Sequence, residues 1–345
     1  MRKVGVEHAK PGMRLAEHIY NEAGVIRVQA GTALTDVLVT RLAEFGVAEV
    51  AIEDPRVDDL SVVESVPRAV ITQGREILRA LHENLRAAGA VEKTSLPFDD
   101  LLGLVHSIEE GLASAGQGTV EITPVARVED CPYLNPINAA ALAMFVTEKA
   151  GLPKRVVDVG LGALLCDVGM VFAEEQEKHP DYSLRVLRQD ARFSAYSRAI
   201  VFQHHERHDG SGFPRGIAGN DIDPLARIVS VADTYCSIIS EGNPMGERLS
   251  RQEAFDYVTS TAGFEFDRTT VMGVMQYVAP YPVGTMVKLN GGEKGVVTRV
   301  YKGLTTRPTV RVFYEADGSE ALQMREIVLA AAENQTVLVT EVLRD

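Results

Sequence analysis

The stretch Val201-Phe202-Gln203-His204-His205-Glu206-Arg207-His208-Asp209-Gly210-Ser211-Gly212-Phe213-Pro214-Arg215-Gly216 decides how this chain reads. An apolar, helix-like approach over residues 196–202 delivers His204 and His205. The run Asp209-Gly210-Ser211-Gly212, closed by Phe213-Pro214, then ends the helical periodicity, because Gly releases the backbone and Pro has no N–H to donate. Neutral imidazole is the commonest metal ligand. Successive helical residues diverge by about 100°, so His204 and His205 can share a centre only near a helix end, and Gly210 places one close by. A second account fits the same residues: His204 and His208, at i and i+4, form a polar helical face beside Glu206 and Arg207. On this stretch alone both accounts stand.

Outward from it, residues 119–282 are helical nearly throughout. Residues 138–150 are apolar and end at Gly151, with Pro153 beyond. Residues 156–168 carry small apolar side chains and one acid, Asp167. Residues 184–187, 195–202, 225–239, 251–259 and 270–278 continue the pattern, and no alternating strand pattern interrupts it. The expectation is an all-α domain.

The flanks read differently. Residues 1–55 suggest a small α+β unit: strands at 15–20 and 25–29 around a turn at Asn21-Glu22-Ala23-Gly24, a helix capped by Thr35 and ended by Gly46, and a returning strand at 47–52. It reads as a regulatory or dimer-forming module, or equally as a plain structural appendage. Residues 56–118 are a linker and connector helices, or the start of the helical core, with helical spacing over 68–89 and 98–112 and a Gly/Ala/Ser-rich hinge or short loop at 113–118. Residues 283–345 hold five short strands, expected to form a small β-barrel-like unit.

Composition bounds the function. At 345 residues and 46% hydrophobic content the chain can build packed cores in two or three domains. A net charge of −13 argues against general nucleic-acid binding, which needs phosphates neutralised, though a local cluster can still hold a small phosphate ligand. Three unevenly spaced cysteines make no disulfide framework. No apolar run approaches a membrane span, and Arg2 and Lys3 precede no apolar signal region, so the expected location is the cytoplasm.

The run His204 to Gly216, then Gly219, then residues 222–225 and Ala226-Arg227-Ile228-Val229-Ser230-Val231-Ala232-Asp233, resembles the HD-GYP family over roughly residues 119–282. The resemblance implies a mainly α, HD-type helical bundle and a metal-dependent phosphodiesterase acting on the bacterial messenger cyclic di-GMP. It also implies a centre of two or three divalent metals, of iron, manganese or zinc. Carried over residue by residue, it makes His179, before Pro180, a ligand, with His204, His205 and Asp233, while Asp167 is the acid of the His-Asp doublet that bridges two metals.

Other positions depart from the pattern. Cys166 stands where the doublet has His, Asn135 where the early His falls and Cys131 where the early Glu falls. Met170 replaces a Lys, Phe213 replaces the Tyr of Gly-Tyr-Pro, and the segment from Asp167 to His179 is short. Residues 240–246 lack the expected phosphate-contacting cations. One metal site, at Asp167, His179, His204 and His205, is therefore expected intact, and the other crippled. Thiolates bind zinc and iron, so a remodelled site using Cys166 is conceivable, but a small buried hydrophobe is the favoured role for that residue.

The reading that follows is a degenerate HD-GYP protein of cyclic di-GMP signalling: a catalytically impaired binding or regulatory module with one divalent metal per chain or none. Its loop at 209–219, with Asp209, Gly210, Gly212, Phe213 and Pro214, is expected to meet a signalling partner, and a homodimer is admitted. The alternative is an active phosphodiesterase with a remodelled site.

Overall fold

The computed structural model describes every residue except 21–25, 48, 61–63, 116–117, 244–245 and 344–345. It divides into two compact units, one made of residues 1–63 and 276–345 and the other of residues 64–275.

The first unit contains both ends of the chain. β1 (Arg2–Gly5), β2 (Ile19–Tyr20), β3 (Ile26–Val28), α1 (Asp36–Glu44) and β4 (Glu49–Ile52) follow in order. β1 pairs antiparallel with β4 and β2 with β3; the turn expected at 21–24 lies outside the described residues. Thr35 caps α1, its side chain accepting from Leu38 N, and Gly46 leaves the helix at φ 75°. Leu15, Leu34, Leu42 and Val50 are the core of this part.

β5 (Met286–Leu289), β6 (Lys294–Arg299), β7 (Thr309–Tyr314), β8 (Glu326–Val328) and β9 (Val339–Leu343) form one antiparallel sheet in the order β8-β7-β6-β5-β9. No ladder joins β8 to β9 among the described residues, so the sheet is not closed into a full barrel. Val287, Leu289, Val297 and Val310 cluster with Tyr281 and Leu329. Met286, Val296 and Phe313 form a second cluster with Val57 of the N-terminal segment. A sheet with two apolar faces needs two covers. The sequence suggested separate units at 1–55 and 283–345; burial of this second face, with Lys3 N donating to Gly284 O at 2.9 Å, brings them into one.

The second unit is helical: α2 (Arg68–Ala88), α3 (Phe98–Ala115), α4 (Cys131–Lys149), α5 (Val156–Leu165), α6 (His179–Leu187), α7 (Ala195–Gln203), α8 (Pro224–Ile238), α9 (Arg251–Ser260) and α10 (Arg268–Met275). α4 is central, buried continuously from Ala139 to Thr147 and packed by α2, α3, α5 and α8. Thus of the two roles expected for α2 and α3, connector or start of the helical core, the packing fits the second. α3 continues to Ala115 where a hinge was read; residues 116–117 of that hinge are not described.

The start of α4 also differs from expectation, at Cys131 instead of 138. Pro132 occupies the first turn, where its missing N–H costs nothing. Pro136 is buried, and packing carries the helix through it. Among the described residues no helix is long and apolar enough to cross a membrane.

Candidate metal centre

α7 is capped by Ser194 and ends at Gln203, so His204 is the C-cap residue and His205 lies just outside the helix. Leaving helical geometry lets two adjacent imidazoles converge, with ring centroids 4.1 Å apart. His208 falls beyond the helix, which removes the account of a polar helical face.

His179 opens α6 and Asp167 follows the C-cap of α5. Two short 3-10 turns, Val168–Val171 and Gln176–Lys178, fold the short connection back so that the two meet. Gly169 makes the return fit: a Cβ there would stand 2.2 Å from His179 O and 2.5 Å from Ser183 N. Ser183 ties the approach, its hydroxyl donating to Cys166 O and accepting from Gly169 N, both at 2.7 Å.

Ligand-capable atoms of Asp167, His179, His204 and His205 lie within 4.8 Å of one another. Asp167 Oδ1 is 3.2 Å from His179 Nε2 and 3.5 Å from His204 Nε2. The outer nitrogens are fixed by backbone: His179 Nδ1 is 2.5 Å from Gln176 O and His204 Nδ1 2.9 Å from Val201 O. A carbonyl oxygen only accepts, so each Nδ1 carries hydrogen and, in the neutral ring, each Nε2 presents a lone pair inward. Those nitrogens are 3.3 Å apart. Facing lone pairs beside a carboxylate suit a cation, and three imidazoles with one carboxylate suit iron, manganese or zinc.

The electrostatics agree. Burial opposes ionisation of Asp167, yet the bonds from His179 and His204 together hold it well below the usual carboxylate range. Burial also opposes a charged His179, but Asp167 wins and raises it. Burial lowers His204 despite Asp167, and burial with the neighbouring His204 pushes His205 far down. Neutral, ligating imidazole is thus favoured at the last two positions.

Asp233 is not part of this set. It joins Cys166 and Asp167 in a second group, also within 4.8 Å. Burial, then the Asp167 charge, push Asp233 up to about 7. Cys166 is fully buried; burial and then Asp167 raise its thiol well above the ordinary value, and Sγ lies 3.2 Å from Ala163 O. Without a cation it is a protonated thiol.

Among the described residues Cys131 joins neither group. Cys131 Sγ donates to Glu241 O at 2.9 Å, and burial, then Asp130 and Glu241, push the thiol up to about 11. Asn135 Oδ1 accepts from Ser240 Oγ at 2.9 Å. Both side chains tie α4 to the segment after α8. Met170 is exposed. Of residues 240–246, positions 244–245 are not described.

The loop after His205 has an internal role. Gly212 crosses the backbone so closely that a Cβ would stand 2.3 Å from His205 O and 2.4 Å from Arg207 N. The buried Glu206 carboxylate accepts from Arg215 N at 2.8 Å and Ile217 N at 3.0 Å, satisfying the loop's backbone. Phe213 then lies against His205, centroids 4.6 Å apart. Asp209 closes a local turn with Ser211, and Gly210 takes φ 83°. Within this loop it is Phe213 that meets His205, its N–H also donating to His205 O at 3.2 Å.

The sequence reading passed over Gly169, Ser183 and His82, and gave Glu206 only a place on a polar helical face. Glu206 sits inside the quoted motif, so an acid between ligands and a glycine turn was a usable signal. His82, buried against Tyr133 and pushed down to about 4 by burial and then Arg86, follows Leu78 at helical spacing and looks like any core-face residue.

Residues 169–270 match the HD domain family. The chain carries an HD domain. The match holds His179, His204, His205 and Asp233 and begins just beyond Asp167, leaving the altered doublet outside. Residues 286–344 match the KOW domain associated with HD domain, which accounts for the five-stranded sheet. Three relatives of the HD domain chain are cyclic di-GMP phosphodiesterases. One from Pseudomonas aeruginosa is 26% identical over 66% of this chain and 59% of its own. A response regulator from Xanthomonas campestris pv. campestris is 34% identical over 39% and 40%. One from Thermotoga maritima is 32% identical over 33% and 30%. The chain therefore spans less than two thirds of these relatives' lengths. An HDG"Y"P protein from Bdellovibrio bacteriovorus aligns over 79% of this chain and 97% of its own at 16% identity and a TM-score of 0.45, too distant to add to the fold. The resemblance to the HD-GYP family drawn from the motif is borne out.

Proposed function

We propose that the HD domain is a catalytically impaired HD-GYP module of cyclic di-GMP signalling, holding one divalent cation at Asp167, His179, His204 and His205. The observation that carries this is a contrast. Four ligand groups converge, with the Nε2 lone pairs of His179 and His204 turned inward, while Cys131 Sγ donates to Glu241 O and Asn135 Oδ1 accepts from Ser240 Oγ. When bound, the cation supplies Lewis-acid stabilisation of charge on a phosphoryl oxygen. The protein's part is to fix the imidazole tautomers through Gln176 and Val201, and to seat His205 against Phe213. What is missing is a second full ligand set and the cation that Met170 replaces. The cyclic dinucleotide comes into the reading from the named activity of the relatives.

The group Cys166, Asp167 and Asp233 favours a second reading, an active phosphodiesterase with a remodelled second site. Metal analysis of purified protein, with product analysis after incubation with cyclic di-GMP, separates the two. One cation per chain and little or no product supports the module. Two cations and robust turnover replace it with the enzyme.

A further inference from the structure

The unit formed by the two chain ends carries a partly open cavity of about 350 Å³. Four cations line it, Arg2, Lys10, Arg56 and Lys294, and no acidic residue does. In a chain whose net charge is −13 this is a concentrated reversal of sign. The buried Asp54 pairs with two of the four, at 2.7 Å from Arg56 and 3.4 Å from Arg2. Among the described residues no carboxylate forms an ion pair with Lys10 or Lys294. Cations held together around a concave surface repel one another, and an anion relieves that repulsion.

The remaining wall is apolar. Met13 and Met286 line it, and Tyr314 lies directly across the β6–β7 ladder from Lys294. The Arg56 guanidinium is stacked 4.0 Å over the Phe313 ring, so one of the cations is held in place by packing. The volume falls at the lower end of the ~300–1,000 Å³ of small-molecule sites, which typically combine an apolar lining with a few placed polar groups. We propose that this cavity binds a small phosphate-bearing molecule with a planar apolar part, of the nucleotide class, between Lys10, Lys294 and the two arginines. The small volume and the single aromatic residue lining it, Tyr314, favour a small ligand over a nucleic acid strand, whose sites set several aromatic rings along an extended basic groove. The inference is independent of the HD domain's metal centre.

The test is calorimetric titration of the full chain with pyrophosphate and with GMP, in chelator so that the metal centre is empty. The comparisons are the double variant Lys10→Gln/Lys294→Gln and, separately, His204→Ala. Lys10 is exposed and Lys294 half-buried, so the double variant keeps the fold, checked by its melting curve. Both probes should bind the parent protein, GMP more tightly. Loss of two charge-assisted contacts should weaken each by about tenfold or more, and His204→Ala should leave both unchanged. Failure of both probes to bind, equal binding by the lysine variant, or loss only in His204→Ala would overturn the proposal. Tighter binding of a single-stranded RNA oligonucleotide than of GMP would overturn it in favour of a nucleic-acid surface. Because these readouts use chelated protein, their failure leaves the reading of the metal centre untouched.

Discussion

His179 Nε2 and His204 Nε2 face each other at 3.3 Å, each ring turned by a backbone carbonyl on its far side. Two lone pairs at that distance repel unless a proton or a cation lies between them. Asp167 Oδ1, 3.2 Å from one and 3.5 Å from the other, adds negative charge at the same point and so strengthens the preference for a proton or cation there.

His204→Ala should therefore abolish tight cation binding. It removes one of four ligands, so affinity should fall by more than the ~10–100-fold typical of losing an outer partner. Metal content after dialysis measures this. Asn135→Ala, whose side chain is engaged by Ser240, should leave metal content unchanged; the opposite ranking would mean that the ligand set is misassigned.

Cys166→Ala tests the second group. If the buried thiol only fills space, cation content stays at one per chain and the melting temperature drops modestly. If Cys166 ligates, content falls from two to one and zinc is lost in preference to manganese, since thiolate selects the softer ion.

Gly212→Ala should damage the site from a distance. The new methyl meets main-chain atoms of His205 and Arg207, which cannot swing aside. Overpacking of this sort costs about 1–3 kcal/mol, and moving the loop displaces His205. A lowered melting point together with weaker cation binding is expected, whereas an unchanged affinity would show that the loop does not position His205.

His82 should make stability pH-dependent. Burial, then Arg86, lower it to about 4, below its unfolded value near 6.5. The unfolded chain then binds more protons between those values, so this contribution is complete above about pH 6.5. It is lost as pH falls toward about 4, by roughly 3 kcal/mol in all. Asp233, raised to about 7, slopes the other way, its stabilisation fading as pH rises through 7. Comparing parent and His82→Leu by denaturant titration at pH 4.5 and 7 isolates the histidine. The variant should lose less stability on acidification, and equal slopes would refute the assignment.

Hydrolysis of cyclic di-GMP should be very weak or absent. Losing one electrostatic stabiliser typically costs about 10²–10³ in rate, and Cys166, Asn135 and Met170 each replace a ligand or cation that the family uses. Product analysis with manganese, and anaerobically with iron, decides it.

The sequence by itself determined what depends on local chemistry. The His204-His205 pair at a helix end, the turn that follows, the acid at Asp233 on an apolar helix, and the caps at Thr35 and Gly46 are all short-range features, and the backbone obeys them. It also showed that Cys166 and Asn135 are unlike the ligands they replace. Only the tertiary structure decided what these residues do instead. Whether Asn135 meets a cation or Ser240 depends on a partner more than a hundred residues away. Gly169 and Gly212 carry no sign in the sequence of the backbone that crosses them, because close approach is a property of two segments and not of one. The same reason hid the union of the two chain ends: each looked sufficient alone, and burial of the sheet's second face by Val57 joined them. The basic cavity follows from that union, since its cations come from stretches as far apart as Arg2 and Lys294 and share a wall only once the chain is folded.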